Sequence, residues 1–147
     1  MANSRRDQEY LGIDSNVLLA FLVDEHPDHN KTRLLIGRRK AVNPTVIHET
    51  YHAAVFKLKT DPKQTVRLLL DYLDLALTLP IDKRTVRRGL RLAARHRLGG
   101  RDALILASYL LSSKVGTFVT FDRSLLALGE VRIGGRELAI ASPSTMG

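Results

Sequence analysis

Cysteine is absent from the 147 residues. Without it no disulfide framework and no thiolate zinc site can form, and nothing ties the chain to an oxidising compartment. Long apolar runs are missing as well. The longest, Val17–Val23, is seven residues, far short of the ~20 needed to span a bilayer. Met1–Tyr10 is polar and lacks the apolar core of a secretory signal. The expectation is a soluble, cytoplasmic protein. Low-complexity tracts, internal repeats and Gly/Ser/Pro linkers are also lacking, so residues 1–147 read as one domain with short tails, about 1–8 and 143–147. Acidic residues are the minority, 15 against 23 Lys and Arg, for a net charge of +8. That balance favours a polyanionic partner, nucleic acid first, without requiring one.

What is present is a globular pattern, 44% hydrophobic and 26% charged. A short apolar segment, Glu9–Ile13, reads as a strand, and Ser15–Val23 as a buried helix. Pro27–Arg39 reads as a second helix with Leu34, Leu35 and Ile36 as its apolar group. Ala41-Val42 is a brief strand. Asn43-Pro44 then supplies an N-cap and a proline at N1 for a helix carrying Val46, Ile47, Ala53, Ala54, Phe56 and Leu58. Asp61-Pro62 repeats the device, with Gln64 at the capping-box position, for a helix to about Leu73. Leu75–Leu79 reads as a strand. Asp82 caps a basic helix to about His96, and Gly99-Gly100 breaks it. Arg101–Ser113 is apolar nearly all round and reads as a central, buried helix. Thr117–Phe121 is a strand, Asp122–Leu128 a short helix, and Val131–Ile140 a hairpin turning at Gly134-Gly135. Strands alternating with helices predict an α/β fold with a mainly parallel central sheet flanked by helices.

Four of the scarce acids fall at telling places on that map. Asp14 ends the first strand, and Glu49 lies in the early turns of the helix after the second. Asp102 opens the buried helix, and Asp122 follows the fourth strand. Ligand sites in open parallel sheets form outside the carboxyl ends of the strands, so these four can converge. Converged carboxylates repel one another and have raised pKa values unless a cation neutralises them. Hard oxygen donors of this kind suit Mg²⁺ or Mn²⁺ rather than zinc, and such ions support phosphodiester hydrolysis. Each acid also has a plainer reading. Asp14 and Asp122 serve as N-caps, Glu49 is a solvated helix residue, and Asp102 pairs with Arg101 or Arg97.

The segments LGIDSNVLLA, NPTVIHETYHA, GGRDALILASYL and TFVTFDRSLLALG carry these acids in order. Together they resemble the four motifs of the PIN-domain nucleases, most of all the toxin subunits of bacterial and archaeal toxin–antitoxin pairs of the VapC type. The resemblance runs from about Leu11 to Leu128. It implies a PIN-like fold and a Mg²⁺- or Mn²⁺-dependent endoribonuclease site. Asp14, Glu49, Asp102 and Asp122 match the family's catalytic, metal-holding acids, and Asn16 and Thr120 its small polar supports. It implies an RNA substrate, a cognate antitoxin and a homodimer. His48 stands where an apolar residue is commoner, and the Gly134-Gly135 turn matches nothing in the motifs.

Lys83, Arg84, Arg87, Arg88, Arg91 and Arg95 recur at spacings of three and four, a positive stripe whose opposite face, Val86, Leu90, Ala93 and Ala94, is expected against the core. The arginines read as a contact for RNA or for an acidic antitoxin tail, or as a solvated face. Arg38, Arg39 and Lys40 read as surface punctuation. His48, Glu49 and His52 match the spacing of a zinc H-E-x-x-H signature. No third ligand accompanies them among His26, His29 and His96, and zinc leaves the other acids unexplained. An aspartate-nucleophile phosphatase needs D-x-D after the first strand, where Asn16 stands in the third position. A receiver-type domain needs an acidic pair and a late lysine that are not visible. A PIN-like RNA- or protein-binding module, or an RNA-processing nuclease outside a toxin pair, remains the alternative.

Overall fold

The structure, a computed structural model, describes residues 10–146. The expected N-terminal tail, 1–8, lies outside the described residues. The strands are β1 (Tyr10–Ile13), β2 (Lys40–Val42), β3 (Leu77–Thr78), β4 (Val115–Val119), β5 (Glu130–Ile133) and β6 (Arg136–Ala141). They form one sheet in the order β3-β2-β1-β4-β6-β5. All neighbours pair in parallel except the hairpin β5–β6, with Gly12 opposite Ala41 on one side and Phe118 on the other. The chain leaves β1 for β2 on one flank and later enters β4 on the other. The sheet therefore has its topological switch point between β1 and β4, where a crevice opens at the carboxyl ends.

The helices are α1 (Ser15–Leu22), α2 (Pro44–His52), α3 (Pro62–Leu75), α4 (Lys83–His96), α5 (Gly100–Leu110) and α6 (Arg123–Leu126). None among the described residues is long and apolar enough to cross a membrane. Helix α5 is the core helix its all-round apolarity predicts, with every residue from Ala103 to Leu110 buried except Leu104. Its Tyr109, fully buried, donates through its hydroxyl to Ile13 O at 2.6 Å and Ala41 O at 3.2 Å. That one side chain pins α5 to both β1 and β2. Gly12 makes room for it, since a Cβ there would lie 2.6 Å from the Tyr109 ring.

Asn43 caps α2 as its position predicts, accepting from Val46 N at 2.9 Å. Its amide also donates to Ser108 Oγ at 2.7 Å, which locks the start of α2 to α5. Asp61 caps α3 by accepting from Gln64 N. The reciprocal capping box forms at α4 instead, between Asp82 and Thr85. Gly134 and Gly135 both take positive φ, 55° and 82°, as a two-residue hairpin turn twisting with its strands requires.

Several expectations are corrected. Pro27–Arg39 is not an α-helix but a 3₁₀ segment, His29–Leu35, between turns. Its apolar group does not share a face: Leu35 is buried while Ile36 is 71% exposed. Thr32 Oγ1 instead donates to His29 O, a local bond that competes with helical pairing. Leu75 ends α3 and is 84% exposed, so the strand predicted over Leu75–Leu79 shrinks to β3. Beyond His52 the second helix widens into a π turn, Ala53–Lys57, with Phe56 exposed. Helix α5 stops at Leu110, short of Ser113, and β4 begins at Val115 and stops at Val119. The C-terminal tail is tied down: Pro143 is buried, and Arg38 Nη1 donates to Met146 O at 3.2 Å.

Candidate active site

Asp14 stands at the mouth of the crevice between β1 and β4. Its backbone N–H donates to Val119 O at 3.0 Å, continuing the β1–β4 ladder, and its carbonyl accepts the first turn of α1 from Leu18 N. As N-cap of α1 its Oδ1 accepts from Ser15 N at 2.8 Å. Its Oδ2 accepts from Thr120 Oγ1 at 2.7 Å. The residue is 6% exposed. Burial pushes its carboxyl up to about 6 from the ordinary 3.8, with the charges of Asp102 and Glu49 adding to the rise and the bonds from Thr120 and Ser15 opposing it. Capping alone would lower this pKa. The rise marks a carboxylate held in a dry, negative environment.

Thr120 is fully buried just past β4 and joins two of the acids. Its hydroxyl donates to Asp14 and accepts from Asp122 N at 3.0 Å. Asp122 then caps α6 through Oδ1 alone, accepting from Ser124 N, Ser124 Oγ and Leu125 N. The Ser124 hydroxyl leads the interactions that hold its carboxyl below the usual value. Asn16 Oδ1 accepts from Phe121 N at 3.5 Å, a long bond across the same crevice.

Glu49 projects from the second turn of α2, which Asn43 fixes, and Asp102 from the first turn of α5. Arg101 bridges them: its Nη1 lies 2.6 Å from Glu49 Oε2 and its Nη2 3.3 Å from Asp102 Oδ1. Burial disfavours its charge, but Glu49 and Asp102 outweigh that and hold its pKa above the ordinary value. Asp14, Glu49 and Asp102 thus stand within mutual electrostatic reach, and Asp122 joins them through Thr120 and the field of Arg101. Arg101 is the member that sequence reasoning passed over as a structural partner of Asp102. Its contact with Glu49, 52 positions away in the chain, has no local signature.

The donor set fits a hard divalent cation. Every candidate ligand atom is a carboxylate oxygen, and Glu49 Oε1 is buried with no hydrogen-bond partner. Among the described residues no three His, Cys, Asp or Glu side chains stand close enough as they lie to hold an ion, and Arg101 sits between Glu49 and Asp102. The zinc signature does not assemble. His48 bonds back to Pro44 O, His52 stacks on Phe56 with ring centroids 4.9 Å apart, and both rings are exposed.

The arginines of α4 face water, with Arg88 half-buried. Arg88, Arg91 and Arg95 border a cleft of about 270 Å³ against Ile133 and Gly134, and Arg95 donates to Arg132 O at 3.0 Å. Of the expected core face of α4, Ala93 packs half-buried against the core, and Val86, Leu90 and Ala94 do not. Thr85, Gly89 and Leu92 are buried, while Val86 and Leu90 are 43% and 65% exposed. Gly89 sets this orientation, because a Cβ there would come within 3.1 Å of Leu104 Cα, and the two helix backbones meet at that point.

Acids gathered at the switch point of a parallel sheet define a protein built to place negative charge at one edge of an α/β fold. The family model for the PIN domain matches residues 12–131, and the chain belongs to the PIN domain family. Its fold is that of solved toxin structures. The chain is similar to VapC20 of Mycobacterium tuberculosis, a sarcin–ricin loop cleaving toxin, at 15% identity and a TM-score of 0.68, covering 84% of this chain and 98% of that one. FitAcB from Neisseria gonorrhoeae matches at 17% identity with a TM-score of 0.64, covering 92% and 99%. VapBC2 of Rickettsia felis, bound to a promoter DNA fragment, matches at 15% and 0.63, covering 90% and 98%. No curated protein sequence matches the chain.

Proposed function

We propose that this protein is a divalent-metal-dependent endoribonuclease and the toxin of a type II toxin–antitoxin pair, acting in the cytoplasm. The observation that carries the reading is the inner acid group, Asp14, Glu49 and Asp102, at the β1–β4 switch point, with the Asp14 carboxyl pushed up to about 6 by burial and by its acidic neighbours. Such a group stores electrostatic repulsion that a cation relieves. Membership of the PIN family and a fold shared with VapC toxins support the same reading.

In this reading Asp14, Glu49, Asp102 and Asp122 hold Mg²⁺ or Mn²⁺. When bound, the ion supplies an activated water and stabilises negative charge on the phosphodiester. The chain does the rest. Thr120 fixes the Asp14 carboxylate and, through Asp122 N, the turn that carries Asp122. Asn16 steadies that turn from the α1 side. Arg84, Arg87, Arg88, Arg91 and Arg95 offer exposed charge to RNA phosphates along α4. An antitoxin and a second copy of the chain are the protein partners, and the apolar side chains left exposed include Phe56, Leu70 and Leu75.

Purified protein incubated with total cellular RNA should cleave it with Mg²⁺ or Mn²⁺ and not in EDTA. D14N and D102N should each abolish the cleavage while keeping the fold by circular dichroism. Unchanged cutting by the double variant would refute the site, and absence of metal-dependent cleavage by the wild type would refute the activity.

A further inference from the structure

Arg101 sits where the chemistry of its own helix least favours it. It lies in the first turn of α5, next to the positive end of the helix dipole, where anions are favoured and cations disfavoured. Asp102, beside it, suits that place. What holds Arg101 there is its bridge to Glu49 and Asp102, at 2.6 and 3.3 Å. We propose that Arg101 is a tethered counter-ion occupying the divalent-cation position of the acid group, which an incoming ion must displace, so that this residue sets the metal affinity of the site. The proposal rests on the metal-dependent reading above.

Several features agree. The bridge satisfies Glu49 through Oε2 only and leaves Oε1 buried without a partner, an oxygen that a cation would take up. The field of Asp14 reaches the guanidinium as well, so a single positive group serves all three acids. The Arg101 side chain is 64% exposed, against 20% for Glu49 and 24% for Asp102. The cation can therefore swing into water at small cost, while the carboxylates stay in place. A guanidinium does not deprotonate in proteins, so it leaves by being outcompeted as a charge rather than by titrating.

The test is calorimetric titration of the metal-free full chain with Mn²⁺ alone, for wild type, R101Q and R101K. R101Q should bind Mn²⁺ roughly three- to tenfold more tightly, the weight of one or two partly exposed ion pairs. R101K, which keeps the charge, should bind close to wild type. The melting temperature of R101Q in EDTA should fall below wild type and recover more on adding Mn²⁺, a readout independent of cleavage. Mn²⁺ binding by wild type with equal or weaker binding by a folded R101Q would overturn the counter-ion role alone. So would R101K behaving like R101Q. Failure of both wild type and R101Q to bind Mn²⁺ would overturn the metal reading, and this proposal with it.

Discussion

Asp14 is an unusual cap. A carboxylate at a helix N-terminus, accepting two hydrogen bonds, ordinarily titrates low, yet burial and two acidic neighbours carry this one up to about 6 from 3.8. Between those values the folded protein binds more protons than the unfolded chain. Stability of the metal-free protein therefore falls as pH rises through about 4 to 6, and the cost is fully present above the folded pKa. A rise of this size corresponds to roughly 3 kcal/mol. D14N keeps an oxygen for Ser15 N but reverses the bond to Thr120, whose hydroxyl loses its acceptor, so of that roughly 3 kcal/mol about 2 kcal/mol should remain as extra stability over wild type in EDTA at pH 8. That advantage should vanish near pH 4, and saturating Mn²⁺ should reverse it. Denaturant titrations across pH check all three, and a D14N protein less stable than wild type at pH 8 in EDTA would contradict the electrostatic account. Thr120→Val removes a donor from Asp14 and an acceptor from Asp122 N, both buried or half-buried, and should cost about 1–3 kcal/mol by the same measurement. The positions of Asp14 and Asp122 were legible because a polar residue directly after an apolar strand is a local signal. A rise from converged acids was expected too, but not its main cause, which is the burial of Asp14, with Asp102 and Glu49 adding to it from 88 and 35 positions further along the chain.

Among the elements, the two that aim the site are α2 and α5, and they are coupled by polar bonds rather than by apolar contact alone. Asn43 is fully buried, caps α2 and reaches Ser108. Asn43→Ala should cost about 2 kcal/mol, a lost cap plus the lost amide donor to Ser108 Oγ, which keeps its own bond to Ile105 O, and should loosen Glu49 along with the helix. Asn43→Asp keeps the cap but loses the amide donor, so it should fall between the two in thermal melts. If Asn43→Ala melts with wild type, the coupling is not as drawn. The cap itself could be read from Asn43-Pro44, and the hairpin from Gly134-Gly135, because turn chemistry is written in adjacent residues. The link to Ser108, 65 positions away, could not. Nor could the loss of the helix over Pro27–Arg39, where apolar residues were present but out of phase, or the turned face of α4. There the periodicity pointed to Val86 and Leu90, and close approach at Gly89 decided otherwise.

At the scale of the whole molecule, the charge of +8 is not evenly spent. Acids are drawn into the crevice, where Arg101 offsets them, while α4 presents its arginines to solvent beside the edge strand β5. Helix α5 follows α4 after a three-residue link and carries Arg101 and Asp102 in its first turn, so the Arg95 end of the arginine face adjoins the chain that enters the site. Arg88, Arg91 and Arg95 also line one cleft with the β5–β6 turn, which gives the face a concave stretch that a phosphate backbone can follow. If RNA runs along this face, each arginine that meets a phosphate releases counterions, and log K falls with log salt by about 0.7 per contact on a single strand. Replacing Arg88, Arg91 and Arg95 together by Ala should weaken RNA binding at low salt and reduce the magnitude of that slope by about 2. The loss should be nearly the same for RNAs of unrelated sequence, because phosphate contacts position a strand without reading it. Mn²⁺ binding should be unchanged, since none of the three touches the acid group. Fluorescence anisotropy of a labelled RNA over a salt series, made with D102N to prevent cutting, gives the slope directly. A triple variant with the wild-type slope would remove α4 from the RNA path and leave its charge as a solvated face.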